Sequence, residues 1–176
     1  KAKKPDAWDV FAKAVQENAT GQDTTSALTM LRRFNVLFGD AGALEQVKKQ
    51  ALDATLSIEV RQTALQTVID NNPPDLQSLC ESLLKSPGIN AVASRGLATL
   101  SEPSIAPKLV EAYPDFAAAD KPQLIAALVS RAAFTAPLLD AIEAGRIPRT
   151  DITAFHARQI RGFNDAKLTA RLTAVW

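Results

Sequence analysis

The chain contains one histidine, His156, and one cysteine, Cys80, so few of its side chains could serve as a nucleophile or a general base. Cys80 lies on an apolar helical stripe that also carries leucines at positions 76, 79 and 83. A thiol that is desolvated on such a face has a raised pKa and is a poor nucleophile. The sequence therefore predicts that Cys80 is buried and structural.

His156 is the side chain whose ordinary pKa suits acid–base chemistry near neutral pH. At 100° per residue from Ile152, His156 and Gln159 fall in the apolar arc of a helix, whose stripe also includes Phe155. A buried polar group without a hydrogen bond costs about 1–3 kcal/mol, so both should bond to backbone carbonyls or to a neighbouring repeat. We predict structural roles for them, with Asp151 as the N-cap of this helix. A catalytic or ligand-binding His156 is the alternative.

The sequence lacks the motifs of common cofactor and catalytic sites. It contains no phosphate-binding glycine loop, nucleophile elbow, zincin motif or C-x-x-C-H haem attachment. With one histidine and one cysteine, any metal site would depend on carboxylates. Residues 70–75 are rich in Asp and Asn but lack the order of a calcium loop, and are predicted to form a turn. We therefore expect no catalytic, cofactor-binding or metal-binding residue.

Four arginines near the C-terminal end of the sequence form a candidate interaction surface. Arg158 and Arg161 fall outside the apolar arc, and Arg146 and Arg149 lie in the loop before the helix. Guanidinium groups pair well with carboxylates, so we predict that these arginines contact a protein partner. The net charge of the whole chain is only +1, which argues against a dedicated nucleic-acid binder.

Apolar residues recur at helical spacing along almost the whole chain, and no segment alternates as a half-buried strand would. The 176 residues, 47% hydrophobic and 22% charged, are typical of a folded globular protein. The predicted class is all-α with about eleven short helices. Asp120 and Gln123 are placed for a capping box, and Gly88 and Gly145 suit left-handed helix ends.

A period of 31 residues organises these helices. Blocks that begin at Ile58, Ile89, Asp120 and Asp151 each contain a helix, a short turn and a second helix. Such a period marks a helical repeat array, and the signatures of tetratricopeptide and ankyrin repeats are absent. The sequence therefore predicts a right-handed α-solenoid of HEAT-like, armadillo-type helix pairs.

We expect residues 1–22 to form a capping helix and linker, and residues 23–176 to form a single repeat domain. The sequence begins with Lys1 and stops at Trp176 inside an apolar periodic segment. These features are expected of a piece of a larger multidomain protein. A segment of that kind shows no signal peptide, whatever its compartment.

The phrase I-P-R-x-D-x-x-x-F-H-A-R-Q-I at residues 147–160 makes a family resemblance visible. It resembles the HEAT-like region of a planctomycete–verrucomicrobial family of membrane-bound dehydrogenases with a C-terminal haem-binding CxxCH domain. The similarity covers most of residues 25–176. Further stretches that contribute to it are residues 35–40, 61–67, 73–76 and 90–97.

This resemblance implies the order of an exported β-propeller, then these helical repeats, then a cytochrome c domain. It implies a periplasmic, extracytoplasmic protein with haem c only in the downstream domain, and it transfers no catalytic residue. The expected function is a non-catalytic scaffold that binds protein, either adjacent domains of the same chain or another protein. We expect neither nucleic-acid binding nor membrane insertion by this segment.

The competing hypothesis is an enzyme, either a HEAT-like nucleic-acid-acting protein or a hydrolase that uses His156. A nucleic-acid glycosylase would need a basic groove with exposed aromatic side chains. Trp8 and Trp176 are instead predicted to pack on terminal helices. Residues 51–120 carry four Lys/Arg against nine Asp/Glu, which further weakens nucleic-acid binding.

Overall fold

The computed structural model describes residues 2–18, 20 and 24–176, and over these residues it contains helices and no strand. Eleven α-helices are present in this part of the chain, which confirms the predicted all-α class. They are α1 Trp8–Asn18, α2 Thr24–Leu37, α3 Ala41–Leu52, α4 Ile58–Asn71, α5 Leu76–Leu83, α6 Asn90–Thr99, α7 Ile105–Ala112, α8 Lys121–Leu128, α9 Ala132–Glu143, α10 Ala154–Arg161 and α11 Ala166–Val175. Short 3-10 turns occur at Tyr113–Asp115 and Arg149–Asp151.

The helix positions keep the spacing that the sequence predicts. Helices α4, α6, α8 and α10 begin 31 to 33 residues apart, at Ile58, Asn90, Lys121 and Ala154. Differences of one to three residues from the predicted block starts fall in the turns between helices. Insertions cost little there, because turns bury little apolar surface.

The chain divides into two compact units, Lys1–Pro73 with α1 to α4 and Pro74–Trp176 with α5 to α11. The predicted boundary between residues 22 and 23 lies outside the described residues. Among the described residues, no helix combines the length and the apolar character that crossing a bilayer requires.

In the first unit, α3 packs on α4, and α2 contacts α1, α3 and α4. Trp8 lies in a small cluster with Ala12 and Leu31, and its indole Nε1 donates to Asn35 Oδ1 at 2.5 Å. The apolar stripes predicted for α1 and α2 are only partly buried. Phe11 and Met30 are 56% and 60% exposed.

In the second unit, helices that occupy equivalent places in successive pairs pack on one another. Helix α6 packs on α8, α7 packs on α9, and α9 packs on α11. In addition, α5 packs on α6, and α10 packs on α11. The core between them is made of aliphatic side chains and Phe134, with Leu97, Leu109, Leu124 and Leu138 fully buried. This unit contains the residues of the predicted site.

Some of the local predictions for helix ends and burial are confirmed by the structure, and one is wrong. Gly88 and Gly145 adopt left-handed backbone angles, φ 81° and 71°, and Gly145 follows the end of α9 as predicted. The predicted capping box at α8 is wrong, because the side chain of Asp120 accepts no cap hydrogen bond there. Cys80 is fully buried, as predicted, and desolvation raises the pKa of its thiol to about 12.

Candidate functional site

The segment that carries the motif of residues 147–160 folds as a 3-10 turn, two extended residues and α10. Ile152 is extended and buried, and Thr153 is the N-cap of the helix. Thr153 Oγ1 accepts from the backbone N–H of His156 at 3.4 Å, and His156 Nδ1 accepts from the backbone N–H of Thr153 at 3.3 Å. This is a reciprocal capping box in which histidine takes the third helical position.

The sequence predicted that Asp151 is the N-cap of α10. This prediction is wrong, because the helix begins after Thr153. The Asp151 carboxylate instead accepts from the hydroxyl of Tyr113, with Oδ2 and Oη 2.5 Å apart. Tyr113 is buried, and its pKa is raised to about 12, first by desolvation and then by the hydrogen bond and the negative charge of Asp151. The bond joins residues that are 38 positions apart.

His156 is only 7% exposed, so its ring is held largely away from water. Desolvation lowers the pKa of His156, and a hydrogen bond with the backbone of Asp151 opposes that effect. Because Nδ1 accepts from Thr153 N–H, the proton of the neutral ring is assigned to Nε2. Nδ1, the unprotonated nitrogen that could take a proton from a nucleophile, therefore already accepts a hydrogen bond in the helix cap.

A groove of about 430 Å³ opens beside these residues. Tyr113, Asp151 and His156 line it together with Lys121 at the start of α8. The ammonium of Lys121 lies 4.2 Å from the centroid of the Tyr113 ring. The Tyr113 hydroxyl and Nδ1 of His156 are both engaged in hydrogen bonds within the fold. Lys121 contributes a positive charge to the lining of the groove.

The register predicted for α10 was wrong at Phe155, which is 63% exposed. The prediction measured the apolar arc from Ile152, but Ile152 precedes the helix and its direction does not set the phase of α10. The buried face of α10 consists of His156, Ala157 and Ile160, and Gln159 at its flank is half-buried. Phe155 therefore points to the opposite side.

All four candidate arginines, Arg146, Arg149, Arg158 and Arg161, are exposed. Arg158 and Arg161 lie on the outward side of α10, and the other two precede it in the same unit. No carboxylate of the described residues lies within ion-pair distance of any of them. Arg171, in contrast, pairs with Asp140 and Glu143 at 2.6 and 2.9 Å.

Aromatic side chains that the sequence placed in the core lie beside these arginines. Trp176 is 46% exposed, and its indole Nε1 donates to the carbonyl of Ile152 at 2.7 Å. The guanidinium of Arg161 lies 5.8 Å from the centroid of the Trp176 ring. We call Phe155, Arg158, Arg161 and Trp176 the α10 outer surface. The sequence predicted its two arginines but missed Phe155 and Trp176, because helical periodicity alone does not reveal which arc of a helix is covered.

The described part of the chain holds no group of three or more His, Cys, Asp or Glu side chains arranged to bind a metal ion. Comparison with known proteins adds no relative, since no family model, curated protein or solved structure matches this chain.

Proposed function

We propose that this chain is a non-catalytic helical-repeat scaffold that binds protein domains. The observation that carries the proposal is the packing of equivalent helices in the second unit, α6 on α8, α7 on α9 and α9 on α11, at a spacing of about one repeat. In repeat proteins each helix pair buries its apolar face against the next pair, and the stack presents a long surface to partners. The proposed architecture is a right-handed α-solenoid of HEAT-like pairs.

The environments of the two chemically versatile side chains support a structural scaffold over the alternative enzyme. The Cys80 thiol is buried and has a strongly raised pKa. Nδ1 of His156 accepts from the N-cap amide of α10, and its pKa is lowered by burial. A hydrolase that used His156 would have to break this cap bond in order to use Nδ1 as a base.

The resemblance extends the proposal to a domain context. In it, the scaffold holds a dehydrogenase-like β-propeller and a cytochrome c domain in one extracytoplasmic protein, with haem c bound only by the latter. Three residues of the motif at positions 147–160 have structural roles in this fold. Asp151 ties to Tyr113, His156 caps α10, and Ile160 is fully buried.

Binding of those domains is the direct test. The reading frame that contains this segment should encode a CxxCH motif downstream, and the cytochrome c domain produced from it should form a stoichiometric complex with this chain in size-exclusion chromatography with light scattering. Absence of such a motif would refute the dehydrogenase context. Absence of any complex with domains of the same protein would refute the scaffold itself.

The enzyme alternative needs its own measurement. Wild-type protein and His156→Gln, which keeps the capping-box geometry, should both be inactive toward a panel of ester, phosphoester and nucleic-acid substrates. Turnover by the wild type that is lost in an equally stable His156→Gln protein would overturn the non-catalytic proposal.

A further inference from the structure

We propose that the α10 outer surface is a docking site for an acidic protein segment that carries an apolar side chain. The inference rests on the proposed function as a protein-binding scaffold, and it assigns the chemistry of one partner and the residues that contact it.

Helix α10 presents two chemically different faces. His156, Ala157 and Ile160 are buried, whereas Phe155, Arg158 and Arg161 are exposed. At 100° per residue the three exposed side chains fall within about 120° of one another. An aromatic ring that is mostly exposed thus lies within one or two turns of two guanidinium groups.

One of these guanidinium groups contacts an aromatic ring. Arg161 lies over the ring of Trp176, and the Trp176 indole is itself fixed by its hydrogen bond to the Ile152 carbonyl. A cation–π contact at this distance, 5.8 Å from the ring centroid, leaves the N–H groups of the guanidinium available to a planar acceptor. Arg158 has no carboxylate within ion-pair distance in the described ranges.

Charge and composition favour an acidic protein segment as the occupant. Carboxylates accept from the N–H edge of arginine in a bidentate manner, and arginine and aromatic residues are enriched at the centres of protein interfaces. Nucleic-acid binding relies on many cations, whereas this chain has a net charge of +1 and the α10 outer surface carries two, Arg158 and Arg161. A bilayer would require the apolar face of an amphipathic helix, and that face of α10 is buried.

Fluorescence anisotropy with a labelled glutamate-rich peptide that contains one phenylalanine tests the docking site on the full chain. Binding should be saturable and should weaken as salt is added. Arg158→Glu with Arg161→Glu should reduce affinity about tenfold or more. Phe155→Ala should reduce it several-fold without changing the salt dependence, because this side chain carries no charge.

The matched control reverses the same amount of charge elsewhere. Lys85→Glu with Arg95→Glu changes exposed residues of the same unit and should leave peptide affinity within about twofold of the wild type. Circular dichroism and urea unfolding confirm that each variant is folded. The version of the peptide with glutamine in place of glutamate should not bind.

Several results would overturn the docking site. Equal peptide affinity in the α10 and control variants would do so, as would stronger binding of an oligothymidylate or of phosphatidylserine vesicles than of the acidic peptide. If the cytochrome c domain binds the wild type and the Arg158→Glu, Arg161→Glu protein equally, the scaffold stands and this surface is not its docking site. If the wild type binds neither peptide nor domain, both proposals fail.

Discussion

A histidine occupies the position in the capping box of α10 that glutamate or glutamine usually takes. Imidazole Nδ1 can accept the N-cap amide as a carboxylate would, but the ring also fills apolar space. The side chain therefore accepts the N-cap N–H of Thr153 while it is itself buried, 7% exposed.

Replacing His156 by alanine should lower the free energy of unfolding by about 1–3 kcal/mol, because it removes both the cap bond and buried packing. Glutamine at this position should recover part of the loss, since it can accept the Thr153 amide. Urea denaturation monitored by circular dichroism measures both values. As a control, Phe155→Ala at the exposed neighbouring position should stay within about 0.5 kcal/mol of the wild type. Equal stability of His156→Ala and wild type would contradict the capping role.

Stability should also depend on pH through His156. Its pKa is lower in the folded protein than the ordinary value of about 6.5, so the unfolded chain binds the proton more readily. The contribution is complete above the unfolded pKa and is lost as the pH falls below it toward the folded pKa. Unfolding measured from pH 7.5 down to pH 5 should show a larger loss of stability for the wild type than for His156→Gln. Parallel curves for the two proteins would exclude this linkage.

The hydrogen bond from Tyr113 to Asp151 is a second contact whose contribution to stability can be measured. Tyr113→Phe removes the hydroxyl and leaves a half-buried carboxylate without that donor, so stability should fall by about 1–2 kcal/mol. Asp151→Asn keeps an acceptor and should cost less. A double-mutant cycle in urea should give a coupling of about 1 kcal/mol, and strictly additive effects would show that the bond contributes nothing.

At the scale of elements, Arg131 connects successive helix pairs. It is the N-cap residue of α9, and its guanidinium donates from Nη2 to the Ala98 carbonyl at 2.6 Å and from Nη1 to Ser101 Oγ at 2.9 Å. Ala98 lies in the last turn of α6, and Ser101 follows the helix by two residues. The planar fork of arginine thus holds the start of one helix against the end of another.

Lysine cannot reproduce this fork, so Arg131→Lys should cost about 1–3 kcal/mol even though it keeps the charge. Arg146→Lys, at an exposed position without an ion pair in the described residues, is the matched control and should be near neutral. Chemical denaturation of the two variants measures their free energies of unfolding. An Arg131→Lys protein as stable as the control would mean that the two hydrogen bonds add nothing to stability.

At the scale of the whole molecule, the two units differ in how completely they bury their cores. Among the described residues, eleven of the twelve largest fully buried side chains lie in residues 74–176, and only Leu65 lies in the first unit. Apolar burial supplies most of the free energy of folding. We therefore expect the second unit to be the more stable one.

Residues 74–176 should accordingly fold when produced alone, with a helical circular dichroism spectrum and cooperative urea unfolding. The same measurements on residues 1–73 should show a lower midpoint, because Phe11 and Met30 remain exposed on α1 and α2. An unfolded 74–176 segment would contradict this assignment of stability.

The sequence alone was sufficient for the helices, their spacing of about one repeat and the burial of Cys80. These follow from apolar spacing and from backbone preferences that act over a few residues. The register of α10 was not predictable in the same way. Its N-cap lies at Thr153 after an extended Ile152, so a phase measured from Ile152 placed Phe155 on the wrong face.

Tertiary structure decided the bond partners and the exposed surfaces. The Tyr113–Asp151 bond and the Arg131 fork join residues 38 and about 30 positions apart, and no local pattern specifies such pairs. The exposure of Phe155 and Trp176 depends on which neighbouring helices cover α10 and α11. Periodicity determines that a helix has an apolar face, but only the packing of the other elements determines which aromatic side chains stay in contact with water.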